Sequence, residues 1–377
     1  MTTSPLLTSP TSTFDRRASE RAQDQALPPV RVPLSAITDD KAMLRAVVEL
    51  TRDLNAPNPR IYWTDLLLSA TIGYAGLAVA MTVGSLGWAL VAAVVAILGL
   101  YRAGMFIHEV SHMKHSALPG FRTGFNLVVG IPLLVPSFMY EGVHNLHHAK
   151  TRYGTVEDPE YLPLAHMKPW TLPLFLLSSI VAPVALMFRY SVLTPLSLVV
   201  PGMRETLVAR FSSLSINPQF RRRMPEGDVA AQWRWLEGAC SVWSITLIAL
   251  VVTGVFPLSM FAIALGVASG VYVLNQVRTL VAHLWDNDGE TMTVTAQYLD
   301  TVNVPPPALL PVLWAPVGLR YHALHHLLPS VPYHALNEAH HRLVATLTPD
   351  SPYHKSNYAG LPGLVARLVR STMVRAR

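Results

Sequence analysis

The residues best equipped for chemistry in this chain are histidines, fifteen of them in 377 residues, and they are clustered. His108 and His112 stand in HEVSH, His144, His147 and His148 in HNLHH, and His322, His325 and His326 in HALHH. Spacings of i, i+3 and i+4 share one face of a helix, so each motif can aim its imidazoles at one point. By chance the HxxHH pattern is expected only about 0.02 times in a chain of this histidine content, and it occurs twice. Imidazole suits zinc, copper, iron and nickel. One zinc ion takes about four protein ligands, so eight histidines are too many for one ion and fit two neighbouring ions. Soluble di-iron bundles use Glu and Glu-x-x-His ligands. The motifs here are nearly free of carboxylates, which points to a histidine-dominated site completed by water or oxygen species. HEVSH also matches the HExxH helix of zinc proteases, where the HxxHH motifs would have no place.

Composition says where such a site must be built. Of the residues 51% are hydrophobic and 14% charged, against about 25% charged in a soluble protein. Disorder, a disulfide framework and an ordinary soluble enzyme are excluded. The single cysteine, Cys240, rules out an internal disulfide or a cluster held by this chain alone, and it reads as a small buried hydrophobe. The net charge of +6 comes without a nucleic-acid-binding motif, so no nucleic acid partner is expected. Positive charge beside membrane spans suits topology and anionic headgroups instead.

The apolar residues fall in blocks. Spans are expected at about 61–83, 88–107, 236–256 and 259–277, each about 20 residues and long enough for the hydrocarbon core. They pair into two hairpins, joined at Gly84–Gly87 and at Pro257. No Lys or Arg lies between Ile61 and Tyr101 or between Trp235 and Val277. Every basic residue then falls on one side with both termini, the cytoplasmic side by the positive-inside rule. Tyr62, Trp63, Trp88, Trp233 and Trp235 mark span ends. The stretches 124–140 and 170–200 are apolar but broken by Pro132, Pro136, Pro173, Pro183 and Pro195; they are expected to be interfacial, re-entrant or paired. Residues 1–35 read as a disordered cytoplasmic tail, 36–360 as one membrane domain with a short amphipathic helix near Asp39–Leu54, and 361–377 as a basic tail. The fold class is all-α and integral to the membrane: four transmembrane helices with a helical cytoplasmic cap over the metal site.

HEVSH, HNLHH and HALHH, in this order and with spans in these places, resemble the three histidine boxes of the membrane fatty acid desaturase superfamily, over about Arg60–Val344. That resemblance implies a non-haem di-iron centre, O2 as co-substrate and a four-span fold with a cytoplasmic cap. It also implies one further ligand between the last span and the third box, and His283 stands there. The animal acyl-CoA desaturases have an Asn four residues before it; this chain has Thr279, with Asn275 a turn further back. The pattern is more similar to bacterial lipid desaturases. The metal ligands implied are His108, His112, His144, His147, His148, His283, His322, His325 and His326.

Other residues are set against plainer roles. His115 lies on the face of His108 but is expected beyond the helix end. His166, His334, His340, His341 and His354 fall outside the motif spacing and are expected at the surface or in structural roles. Glu109, Glu141, Asp158 and Asp286 are the carboxylates nearest the motifs, candidates to accept the second N–H of a ligating ring. Arg204, Arg210 and Arg221–Arg223 read as positive-inside charge on an interfacial segment, with a grip on lipid phosphate as the alternative.

The function expected on these grounds is an O2-dependent desaturase that places a double bond in a fatty acyl or related lipid chain. An alkyl chain offers no polarity, so selectivity would come from an apolar tunnel that fixes one carbon beside the metals. The alternative is a hydroxylase or ketolase of the same superfamily acting on an alkane, carotenoid or sphingolipid. A metal-ion transporter is more remote, because transport would place ligands near mid-membrane. The chain shows no dinucleotide fingerprint, cluster cysteines or HPGG haem signature. Electrons are therefore expected from an external ferredoxin-like or cytochrome b5-like carrier with its reductase, at a bacterial inner membrane.

Overall fold

The computed structural model describes residues 33–374; the tail expected over residues 1–35 lies outside them except for residues 33–35. The described chain is helical, with only isolated bridges and no strand element. Its first long helix, α1 (Lys41–Thr51), starts at Asp40, whose carboxylate accepts the backbone N–H of Met43 at 2.9 Å, a standard N-cap. Met43 and Val47 turn inward from it.

Two helices then form a tight hairpin, α2 (Pro59–Thr82) and α3 (Leu86–Gly104). Asn58 caps α2 with Pro59 at its first position, where a missing N–H costs nothing. Small residues let the two backbones touch: a Cβ on Gly99 would lie 2.6 Å from the Gly73 nitrogen, and one on Gly73 would lie 2.7 Å from that of Leu100. Close approach of this kind holds helices together in lipid, where apolar burial gives no net drive. Past Met105 the chain turns straight into α4 (Phe106–His112), so the first histidine motif is carried on the end of a long apolar helix.

Residues 124–140 are broken, as expected, into a π turn at Asn126–Gly130 and a 3-10 turn at Ser137–Met139. Next come α5 (His144–His147) and α6 (Thr171–Phe188). Within the apolar stretch 170–200, α6 continues through a π turn at Arg189–Leu193 to Leu196, long and apolar enough to cross a membrane. Pro173 sits in its first turn, and Pro183 is carried within it. The second hairpin is α7 (Gly227–Val252) and α8 (Leu258–Ala282). Among the described residues five helices thus meet the requirement by length and composition, and they mark an integral membrane protein. Inside this apolar assembly Arg189 and Glu237 are both buried and paired at 2.5 Å; Arg204 reaches the other Glu237 oxygen at 2.5 Å.

After α8 the chain is lashed back on itself. Leu284 donates to the Asp300 carbonyl, Val302 to that of Ala282, and Ala323 to that of Val302. The Asn303 side-chain oxygen accepts from the backbone of Leu324 at 3.0 Å. These bonds hold α9 (His322–Leu327) beside the end of α8. Within the segment expected as a basic tail, α10 (Leu361–Val369) is an amphipathic helix that buries Leu364 and Leu368.

Candidate metal centre

Each histidine motif sits at a place where a helix ends or a short one begins. His108 and His112 project from α4, and His144 and His147 from α5, with His148 as its C-cap. His283 caps the end of α8 in an extended conformation, and His322, His325 and His326 lie on α9. The structure brings these nine rings together in two adjoining groups. His108, His112, His144, His148 and His325 form one, and His147, His283, His322 and His326 the other; within each, the candidate donor atoms lie within 4.8 Å of one another. His148 and His326 stack across the boundary at 4.2 Å.

The ring nitrogens meet edge to edge. Nε2 of His144 faces Nε2 of His148 at 3.0 Å, and the pairs His112–His325 and His283–His322 show the same separation. Two nitrogens bound at right angles to one ion at about 2.1 Å lie about 3.0 Å apart, so the spacing fits shared metal ligands. Both ring nitrogens of His108 and Nδ1 of His148, His322 and His325 are buried with no hydrogen-bond partner. Buried polar atoms are rarely left so, and a pair of ions would account for the inward-facing ones.

Burial lowers the pKa of His144, His148, His283, His322, His325 and His326 well below the usual imidazole range. These rings are neutral and have a lone pair to donate. For His147, burial works in the same direction, but the Asp158 carboxylate outweighs it and raises the pKa.

Buried carboxylates orient three of the rings. Asp158 meets His147 Nδ1 at 2.9 Å and accepts the backbone N–H groups of Gly154 and Glu160, each at 2.8 Å. Glu160 meets His144 Nδ1 at 2.9 Å and accepts from the Tyr140 hydroxyl at 2.7 Å. Tyr153 stands between His283 Nδ1, at 2.8 Å, and Asp300, to which it donates at 3.0 Å. Burial pushes the pKa values of Glu160 and Asp300 up to about 7. Such partners fix which ring nitrogen carries the proton and which points inward.

Of the four carboxylates singled out from sequence, Asp158 bonds a histidine of the groups. Glu109 approaches His108 Nδ1 at 3.7 Å but accepts instead from the Tyr62 hydroxyl and the Tyr333 backbone. Glu141 pairs with Arg122, and Asp286 lies 3.6 Å from Arg367. Glu160, Asp300, Tyr140 and Tyr153 were missed, although Asp158-Pro159-Glu160 carried a signal in two carboxylates so soon after the second motif. The remaining histidines stay outside. His115 is exposed in a turn, His334 accepts from the Asn58 backbone, and His340 is buried against Tyr353. His166 lies 3.4 Å from the Asp286 carbonyl, His354 3.1 Å from that of Thr348, and His341 is exposed.

The family model for fatty acid desaturases matches residues 84–357, a stretch that holds all nine rings. The chain is also 47% identical, over 351 residues, to a ceramide hydroxylase of Caulobacter vibrioides, covering 91% of this chain and 99% of that one. No solved structure matches the chain. The relative overturns the expectation of desaturation: a protein so similar along its whole length is a hydroxylase, the alternative drawn from sequence. The resemblance carried by the three histidine boxes holds at the level above, and the chain is an oxidoreductase that belongs to the fatty acid desaturase family.

Proposed function

We propose that the protein is an O2-dependent hydroxylase of ceramide or a closely similar N-acylated long-chain lipid. The similarity to a ceramide hydroxylase along nearly the full length of both chains carries this reading. The reaction consumes R–H, O2, two electrons and two protons and yields R–OH and water.

Two iron ions are the metals proposed, one in each histidine group. When bound, they supply the oxygen activation that attack on an unactivated C–H bond requires. The nine histidines hold them. Asp158, Glu160 and the Tyr153–Asp300 pair fix the rings of His147, His144 and His283 in the tautomer that turns Nε2 inward. The buried setting of the groups keeps bulk water away from the reacting carbon. Electrons come from an external ferredoxin-like or cytochrome b5-like carrier with its reductase.

The proposed topology is four spans in two hairpins, α2–α3 and α7–α8, with the histidine groups in a cap on the cytoplasmic side of a bacterial inner membrane. His147 and His283 share a group, so an even number of crossings separates them. With α7 and α8 crossing, α6 does not. Its contacts fit a dip and return: the Ile180 carbonyl accepts from Ser269 near the middle of α8, and Arg189 is back beside Glu237 in the first half of α7. Both ends of the described chain lie with the cap. Asp40 donates its backbone N–H to Thr295, and α10 lies beside the end of α8, with Arg367 reaching Asp286. The basic residues are on this side, and the domain runs from about residue 36.

The test is expression in a ceramide-producing host that lacks hydroxyceramides, grown under 18O2. A ceramide heavier by one 18O atom is expected in the total lipid. A dehydrogenated ceramide without added oxygen, or unchanged lipids from cells containing iron-loaded protein, would overturn the reading.

A further inference from the structure

Arg278 stands near the end of α8, five residues before His283, and is 7% exposed. Among the described residues it forms no ion pair, and its Nε is buried with no hydrogen-bond partner. Its charge is close enough to act on His108, His147, His283, His322 and His325, members of both groups. The chain treats its other buried guanidinium differently. Arg189 is 3% exposed, and it bonds Glu237, Ser212, Thr194 and the Phe211 carbonyl. The Glu160 carboxylate feels its charge but does not pair with it; a buried cation with no carboxylate in contact is costly, and one beside two sites for dications is costlier still. An electron-rich atom from outside the chain would relieve both.

The surroundings say what kind of atom. The protein group found beside the guanidinium is the Tyr101 hydroxyl of α3. That hydroxyl donates to the Trp314 carbonyl at 2.8 Å, while the Trp314 indole Nε1 is itself buried without an acceptor. Arg278 Nε and Trp314 Nε1 are thus both buried without an acceptor, where the end of α3 that leads into α4 meets the end of α8. The helices are closely packed along their length: a Cβ on Gly270 would lie 2.5 Å from Ile97 Cδ1. A lipid whose chain runs beside this helix pair presents its polar head at this level.

We propose that Arg278, flanked by Tyr101 and Trp314, is the subsite for an oxygen of the lipid's polar head, the amide carbonyl or a hydroxyl. The inference rests on the hydroxylase reading and sharpens it. A head held against a residue that reaches both histidine groups leaves only the first few carbons beside the metals. Oxidation then falls close to the amide rather than far along either chain.

Binding is measured on iron-loaded protein in nanodiscs without O2, so that no turnover occurs, with three probes: N-hexanoyl sphinganine, tetradecane and azide. Arg278→Gln is expected to weaken the sphinganine amide by about tenfold or more, the loss of a charged hydrogen bond. Arg278→Lys should fall between, with tetradecane, azide and iron content unchanged. The residual product of Arg278→Gln should show its hydroxyl scattered to carbons further from the amide. Unchanged amide affinity, a loss confined to azide, or loss of iron would each overturn the subsite, the second in favour of a small anion and the third of a structural role. Should Arg278→Gln not fold, Tyr101→Phe removes the supporting hydroxyl and is expected to weaken the same probe with iron retained; unchanged affinity there overturns it too. Failure of the wild-type protein to bind the amide at all would fault the ceramide reading instead.

Discussion

His147 and His325 hold the same place in their motifs, three residues after the first histidine, and each sits in the group opposite to its two motif partners. His144 and His148 belong to the group of five while His147 joins the group of four; His322 and His326 belong to the four while His325 joins the five. Each HxxHH motif therefore contributes to both groups, in mirrored proportions. Ions held in the two groups would be tied to one another through α5 and α9.

It follows that single substitutions here empty one position before the other. His147→Ala is expected to lower iron from about two ions per chain to about one, drawn from the group of four, and His325→Ala to do so from the group of five. Metal analysis with Mössbauer spectroscopy distinguishes the two remainders. Identical spectra from the two variants would show that the groups do not bind separately.

The carboxylates behind the rings should govern metal affinity. Asp158→Asn, Glu160→Gln and Tyr153→Phe are each expected to weaken iron binding by about 10–100-fold, measured by competition with a chelator. Glu141→Gln, which disturbs a pair with Arg122 instead, should leave affinity within about threefold of wild type.

Glu237 is expected to matter for stability rather than for metal. Glu237→Ala leaves Arg189 buried without its counter-charge, a loss of about 3–5 kcal/mol, read as a lower unfolding midpoint in detergent at unchanged iron content. A midpoint equal to wild type would mean that water reaches Arg189.

His340 should contribute acid sensitivity. Burial, helped by its neighbours His341, His354 and Arg320, lowers its pKa to about 4 from an ordinary 6.5. The unfolded chain then binds a proton between those values that the folded chain does not. The contribution is complete above about pH 6.5 and is lost as pH falls toward 4. Replacing the ring with an amide, His340→Gln, should flatten the stability profile across that window; matching profiles for variant and wild type would rule the ring out as the cause.

Much of the candidate site was legible because HEVSH, HNLHH and HALHH each crowd histidines onto one short helical stretch, although the sequence did not show that His147 and His325 part from their motif partners. His283 came from resemblance, and the structure places it in the group of four. Glu160, Asp300 and Tyr153 were not legible, since their contacts depend on how the loop after α5 folds over the chain beyond α8, which no local period encodes. Helix α6 is more continuous than its three prolines suggest. Pro173 falls in the first turn, and the π turn at Arg189–Leu193 precedes Pro195, so the helix bends where the pattern suggested it would stop. In α10, Leu361, Leu364, Val365 and Leu368 keep helical spacing that the surrounding arginines obscured. Hydroxylation could not be told from desaturation, since the two differ in where the substrate lies rather than in the metal ligands.

Cys240, the sole cysteine, is fully enclosed within α7. The native protein is in effect already thiol-silent to a maleimide, so a cysteine placed at Ser85 or Lys150 becomes the one reactive handle on the molecule. Impermeant and permeant reagents applied to intact cells can then tell which face of the bilayer each position occupies, with no need to rebuild the protein first.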